Sequence, residues 1–573
     1  MDVGVAYEVT SWKFVKLQVI KLQVIKLSIL YELYKLYELD ELYKLYKLYK
    51  LIIIRMKNKT FSLKAQLINV TTGNDLQIWL NESEAFKFGI TAVDNVILSY
   101  EKDGKHKRLS VNVDLTNDFL ESWEIWITQD IFEKHDIKTW DIVSISTITK
   151  NPLSLQAIRK KLFWKKLNQD EIKALMRDMT DGKISDLLVA YYAACSFAYS
   201  SDKEELYWTA KYSAEMWDMI KFKHDTAVKY SIGGIPGNET TMIIVPILGS
   251  LGISSPKTFS RAITSPAATW ECVEVLMDTE FTVNQMKKLV EKNLSCLANW
   301  ESLKFAPAND RIIKVSYPLY MEAYSKVAIS IMAKIYAWWT KFCLIEFPVG
   351  KNWKIQDQKT ANRIAGHFKY IWERLGMKVC VEYTNADHPV GKWIWAVLQT
   401  REVLRILQNK ECISKDIKTK AIKLSADLIE LVWLAKWKKA IELAKNQLES
   451  GAAWEYMKKL ITAQNRVHNR KPDYKKVSYL GIVDSEDLPL AKFSEKIIAK
   501  KAWKIKSLNV QLIKDIARLF WAPFDKQAWI YFYKQHWNLV KKWDVLCELY
   551  SNNQEDLQRW LEAIKKEKLF FYC

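Results

Sequence analysis

The chain has 573 residues, 49% of them hydrophobic, so it can fill several domains of the usual ~100–200 residues and is too apolar to be a disordered protein. Its 86 Lys and Arg outnumber 66 Asp and Glu to leave a formal charge of +20, but acids are interleaved with the lysines throughout, which fits a solvated basic surface rather than a polyanion groove. Eight cysteines without a CxxC pair and seven unclustered histidines argue for a reducing cytoplasm and against a structural metal.

Residues 1–55 differ from the rest. KLQVIKLQVIKL repeats every five residues and LYELYKLYELDELYKLYKLYKL every three, so no apolar face is maintained on a helix or a strand. The stretch lacks both the run of about 18 apolar residues that a membrane span needs and the small-residue cleavage site of a signal peptide. It is expected to be a short tandem repeat read in frame, with Met56 as the true initiator.

From 56 to 150, short β-rich runs (FSLKAQLINV, NVILSYE, LSVNVDL, DIVSIST) alternate with turns such as TTGND and EKDGK, predicting a small β-barrel with one or two helices. Residues 151–225 turn to helical periodicity, with Asn168–Asp170 and Ser185–Asp186 as helix starts. From 226 to 475 strands and helices alternate: MIIVPIL as a strand, helices over VNQMKKLVEKN and MEAYSKVAISIMAKIYA, the strand FCLIEFPV, the helix TANRIAGHFKYIWERL and the strand MKVCVEY. This predicts a central, largely parallel sheet with ligands at its strand ends, joined to the helical domain by the helix near 321–337. A last α+β portion covers 476–573. The expected fold class is α/β: a helical domain and a mixed or parallel-sheet domain, flanked by the N-terminal barrel and the C-terminal α+β domain.

The stretch from Lys229 to Glu274, KYSIGGIPGNETTMIIVPILGSLGISSPKTFSRAITSPAATWECVE, holds five of the sixteen glycines together with a cluster of Ser and Thr. Two small-residue loops either side of one apolar run suit an anion held by amide N–H groups, hydroxyls and a lysine. A glycine-bearing turn between helices would look similar, and the second loop is what separates the two readings.

Glycine and tryptophan are out of proportion. About 7% glycine is usual, which would give roughly 40 here, but the chain has 16, against 25 tryptophans. Trp140 in KTWDIV, Trp521 in LFWAPF, Trp537 in QHWNLV and Trp543 in VKKWDVL stand where turn chemistry asks for glycine. The expectation is that UGA codons were translated as Trp in a gene whose own code reads them as Gly. The alternative is a Trp-rich protein that uses these rings for packing or stacking.

KYSIGGIPGNETT, PKTFSRAITSPAAT, FAPAND, IEFPVGKNWK, TNADHPVGKWIWAVLQTREVL and LFWAPFDKQAWIYF, in that order, resemble the thymidine phosphorylase superfamily. The nearer resemblance is to its AMP phosphorylase branch, on account of the extra N-terminal domain and of SRAITSPAAT where the nucleoside enzymes carry a more Gly-rich loop. It spans Met56 to about Tyr550. Trp217, Trp339, Trp372, Trp393, Trp395, Trp433, Trp437, Trp521, Trp529 and Trp543 fall on family glycines, and Trp270 is expected to do the same.

The resemblance implies phosphorolysis of AMP by inorganic phosphate, which is a co-substrate with no further cofactor and no metal. The superfamily's phosphate role matches Lys229, Ser231, Thr240 or Thr241 and Thr269. Substrate contacts carry over to Gly233, Gly234, Ser260, Arg261, Ala262, Ile263, Thr264, Ser265, Thr269, Ser330, Lys334 and Lys354, the last suited to the 5′-phosphate. The proton donor aligns with Glu322, with Asp310 in reserve. Glu322, Lys326, Ser330 and Lys334 recur every four residues, drifting only about 40° per step to form one polar stripe on a helix that apolar neighbours pack away. Two departures bear on the geometry: the family's Asp-Lys-His reads Val228-Lys229-Tyr230, and Phe259 replaces a small hydroxyl residue. The resemblance further implies domain closure over the substrates and at least a homodimer, with no nucleic-acid or membrane partner. A thymidine or pyrimidine nucleoside phosphorylase, a phosphoribosyl transferase, and a basic nucleic-acid-binding protein stay open as alternatives.

Overall fold

The structure, a computed structural model, describes residues 61–572 apart from 72–75, 93–94, 103, 148–151, 199–201, 217–218, 233–234, 260–268, 304–306, 317–323, 351–352, 354, 412–413, 510–511, 514–525, 537 and 567–568. The repeats of 1–55 and the expected initiator Met56 lie outside the described residues, as do Trp217, Trp521 and Trp537. The chain divides between Pro152 and Leu153 into two compact units.

The first unit is a closed six-strand barrel. Its strands are β1 (Phe61–Ile68), β2 (Gln77–Asn81), β3 (Asn95–Lys102), β4 (Lys105–Thr116), β5 (Glu124–Thr128) and β6 (Ile142–Thr147), in the order β1-β5-β2-β4-β3-β6. Antiparallel pairing of β1 with β6, Phe61 opposite Ile145, closes the cylinder. Alternate residues such as Leu63 and Ala65, Val96 and Leu98, and Val111 and Val113 point inward to form its core. Two short helices, α1 (Glu82–Lys87) and α2 (Gln129–His135), complete it, and the Asn81 side chain caps α1 through the Ser83 and Glu84 N–H groups.

The second unit opens with α3 (Leu153–Leu162), α4 (Gln169–Thr180), α5 (Asp186–Ala198) and α6 (Lys203–Glu215). Asn168 and Glu171 form a reciprocal capping box at the start of α4. Then come β7 (Ala227–Ser231), α7 (Thr241–Ser250), β8 (Lys257–Phe259), α8 (Thr269–Leu276), α9 (Val283–Asn293), β9 (Leu297–Asn299), α10 (Trp300–Leu303), α11 (Pro307–Ser316), α12 (Tyr324–Ala337), β10 (Phe342–Val349), α13 (Gln358–Leu375) and β11 (Lys378–Asn385). Strands β11, β10 and β7 form a parallel sheet in that order. One face, with Ala227 and Leu344, packs on α7 and on later helices. The other, with Val228, Tyr230, Ile345 and Phe347, packs on α6, α12 and α13.

MIIVPIL is not the strand that its composition predicts. Thr241 to Ser250 is a helix, α7, with every residue from Thr241 to Gly249 buried. A helix enclosed on all sides is apolar on all sides, so its sequence loses the 3.6-residue stripe and looks like a buried strand. Pro246 argues against a central strand, but inside α7 it equally lacks an N–H to donate, so it does not by itself tell the two apart.

After β12 (Trp393–Ile394), four helices continue the core: α14 (Ala396–Leu407), α15 (Lys415–Leu431), α16 (Lys438–Glu449) and α17 (Ala452–Val467). The remainder comprises β13 (Phe493–Ile498), β14 (Trp503–Leu508), β15 (Trp529–Phe532), β16 (Leu539–Val540), β17 (Val545–Ser551), α18 (Gln554–Lys566) and β18 (Phe570–Tyr572). It forms sheets β12-β15-β17-β13 and β16-β14-β18, so β12 is drawn from the middle of the chain into the C-terminal sheet. The architecture is thus α/β with mixed sheets and a separate closed barrel. No helix among the described residues is long and apolar enough to cross a membrane.

Candidate active site

Strand β7 carries Lys229 on the face opposite Tyr230, and the parallel neighbour β10 places Glu346 beside Ser231. Lys229 is 6% exposed and Glu346 fully buried. Lys229 Nζ lies 2.6 Å from Glu346 Oε2, and Lys420 Nζ, from α15, lies 2.5 Å from Glu346 Oε1. Thr384 Oγ1 on β11 donates to Oε1 at 2.8 Å, and Asn238 Nδ2 donates to Oε2 at 3.3 Å. Burial alone would raise the Glu346 carboxyl, but the charges and hydrogen bonds of both lysines outweigh it and hold the group well below the usual carboxylate range. Burial pulls the Lys420 ammonium down, with Glu346 opposing. Two cations therefore share one carboxylate, leaving a net positive charge in a low-dielectric setting.

The loop after β7 turns this charge into a cradle. Lys229 Nζ also donates to Thr240 Oγ1 at 3.3 Å. Thr240 is the N-cap residue of α7, whose first-turn N–H groups and dipole favour an anion. Gly237 has φ +82°, and a Cβ there would stand 1.9 Å from the Val390 carbonyl oxygen, so only glycine fits. The Val390 N–H donates to the Pro236 carbonyl at 3.0 Å, fastening the loop to the segment before β12. Glu239 sits in the same loop. Burial pushes its carboxyl up to about 7, with the Thr269 hydroxyl and the Lys229 charge opposing. Thr269 opens α8 and is linked to this loop through the hydrogen bond of its hydroxyl with Glu239.

A second cluster lies on α12. Ala328, Ile329, Ile331, Met332, Ala333 and Ile335 are buried, as the packed helix requires. Ser330 Oγ accepts from Asn309 Nδ2 at 2.9 Å, and Lys334 Nζ stands 4.2 Å from the centre of the Trp300 ring. Asp310 is held by Trp300 Nε1 at 2.7 Å. Lys257 is buried near both clusters, its Nζ 3.2 Å from the centre of the Tyr230 ring and within reach of the Lys229 and Lys334 charges. Burial pulls it far below the ordinary lysine range, and the charges of Lys229 and Lys334 add to this.

Of the residues marked in the sequence, the structure places Lys229 and Ser231 on β7, Thr240 and Thr241 at the start of α7, Thr269 at the start of α8, and Ser330 and Lys334 on α12. Gly233, Gly234, Ser260, Arg261, Ala262, Ile263, Thr264, Ser265, Glu322 and Lys354 lie outside the described residues. Sequence reasoning missed Glu346, Lys420, Glu239 and Lys257. Glu346 had a signal, being the one charged residue in the apolar run FCLIEFPV. Lys420 looks like any other lysine of its helix.

No protein-family profile matches the chain. Among curated proteins it is 31% identical over 497 residues to AMP phosphorylase of Thermococcus kodakarensis, covering 87% of this chain and 95% of that protein. It is 30% identical over 505 residues to AMP phosphorylase of Methanosarcina mazei, covering 88% and 95%. With AMP phosphorylase of Pyrococcus furiosus it shares 31% identity over 511 residues, covering 88% and 97%. Among solved structures, anthranilate phosphoribosyltransferase from Thermus thermophilus superposes with a TM-score of 0.45 at 14% identity, over 54% of this chain and 99% of that one.

Proposed function

The chain belongs to the AMP phosphorylase family, and on that premise we propose that it cleaves AMP with inorganic phosphate. A phosphate oxygen bonds to C1′ as the bond from C1′ to the base breaks. The sugar, already phosphorylated at its 5′ position, leaves as ribose 1,5-bisphosphate, and adenine departs with a proton. The observation that carries the site assignment is Lys229, fixed by Glu346 and set beside Thr240 at the start of α7. A buried ammonium, hydroxyls and helix N–H groups suit a phosphate dianion and can aim one of its oxygens at C1′.

Charge builds on the sugar and the base as the bond breaks, and the departing base needs an acid. Glu322, two residues ahead of α12 in the chain, takes that role in this reading. Asp310 is a poorer candidate because it is already engaged with Trp300. Ser330 and Lys334 on α12, together with residues 260–265 and Lys354, hold the nucleotide in this reading.

Incubating the protein with phosphate and AMP, CMP or thymidine in parallel, and following free base, tests the reading. Adenine release from AMP is expected. Lys229→Met should lower it by about 10²–10³-fold, and Glu322→Gln should abolish turnover while sparing AMP binding. Base release from thymidine and none from AMP would overturn the assignment.

A further inference from the structure

We infer that the living protein carries glycine at positions 140, 164, 339, 395, 433, 437 and 543, its gene being read in a code where UGA specifies glycine. Thirteen described residues other than glycine have positive φ, and seven of them are tryptophan: Trp140, Trp164, Trp339, Trp395, Trp433, Trp437 and Trp543. Asn and Asp enter this region with some ease because their short polar side chains bond locally, but an indole gains nothing there.

The local geometry at each place is a glycine geometry. Trp164, Trp339 and Trp433 follow the last turns of α3, α12 and α15 with φ of 61°, 51° and 60°. Their N–H groups donate to the carbonyls of Lys161, Tyr336 and Glu430. This is the left-handed helix end that glycine dominates, and Gly376 occupies it at the end of α13 with φ 73°. Trp140 and Trp543 occupy twin turns. In each the Asp N–H donates to a Lys carbonyl three residues back, Asp141 to Lys138 and Asp544 to Lys541, and the Trp between has φ 75°. That is the third position of a turn whose φ requires glycine.

Trp395, at φ 144° and ψ 163°, lies in a region that is essentially glycine's alone, and Trp437, at φ 53° and ψ −126°, is as far from ordinary L-residue space. Several of the indoles make surface contacts, Trp140 stacked near Trp123 and Trp433 under Lys378 Nζ at 3.7 Å, but such contacts at exposed sites are weak and do not require a left-handed backbone. Except for Trp395, all seven are more than half exposed, from 54% at Trp140 and Trp339 to 79% at Trp437. Trp395 is buried, and its Nε1 has no hydrogen-bond partner among the described residues. Trp270, Trp372, Trp393 and Trp529 lie in helices and strands, where the backbone does not discriminate.

Three measurements test this. The gene should have UGA at all seven codons; UGG at Trp140, Trp395 and Trp543 would overturn the inference. Peptide mass spectrometry of the protein from its own organism should find glycine at the same places, and tryptophan there would overturn it independently. Last, the chain should be produced both as written and with all seven replaced, W140G through W543G. The glycine form should melt several degrees higher, and an equal or lower melting temperature would count against the inference even if both forms fold.

Discussion

Four donors from four segments converge on the two oxygens of Glu346: Lys229, Lys420, Thr384 and Asn238. Glu346→Gln would leave two buried ammonium groups without a counter-charge, a loss of roughly 3–5 kcal/mol for breaking such a pair. The reaction should report it selectively. The KM for phosphate is expected to rise by about tenfold or more while the KM for AMP changes little, and Glu346→Asp should recover part of the loss. Glu239 makes a different kind of prediction. Its carboxyl is raised from 4.5 to about 7 in the folded chain, so the folded state binds the proton more tightly than the unfolded one. The stability it contributes is complete below pH 4.5, falls as the pH rises to about 7 and is then constant, a change on the order of 3 kcal/mol. Denaturant titrations at pH 5 and pH 8 should show that fall in the parent and a smaller one in Glu239→Gln. Lys229 was legible in the sequence because it stands next to a glycine-rich run. Glu346 stood out only as a lone carboxylate in an apolar run and Lys420 not at all, because their pairing depends on three elements meeting, and single-residue chemistry carries no record of that.

Most elements declared themselves, by alternation, by capping or, in the fully buried β10, by a short apolar run of strand length. β1 alternates, α4 carries its capping box, and FCLIEFPV and MKVCVEY became adjacent parallel strands. The failure was α7, the element the site depends on most, because full enclosure removes the periodicity by which a helix is recognised. Its approach also holds the described glycine at which an added Cβ would meet the shortest contact, Gly237. Gly237→Ala would place a methyl group 1.9 Å from the Val390 oxygen at a φ of +82°. The loop would have to shift, costing about 1–3 kcal/mol for the backbone conformation alone, and Thr240 would move with it. The expected outcome is a lower melting temperature together with a weakened phosphate KM. An alanine variant with parental kinetics would mean that the loop does not position the anion.

At the scale of the whole chain, alternating runs separated by turns announced the barrel, and alternating strands and helices announced the α/β core. What the sequence could not show was β12, two residues long, leaving the middle of the chain to pair with β15; so short a strand has no pattern to detect. The barrel has its own enclosed core of Leu, Ile and Val and belongs to a unit separate from Leu153–Cys573. Residues 56–148 produced alone should therefore melt cooperatively by circular dichroism, and a featureless thermal scan would refute their independence. Because β1 and β6 complete the ring, the barrel presents no open row of N–H and C=O groups to another chain. β11, by contrast, pairs among the described residues on one side only, with β10, and is largely half-exposed. If heat drives this protein into fibrils or aggregates, strand addition should begin at Lys378–Asn385, and a proline placed there should delay it while leaving the barrel indifferent.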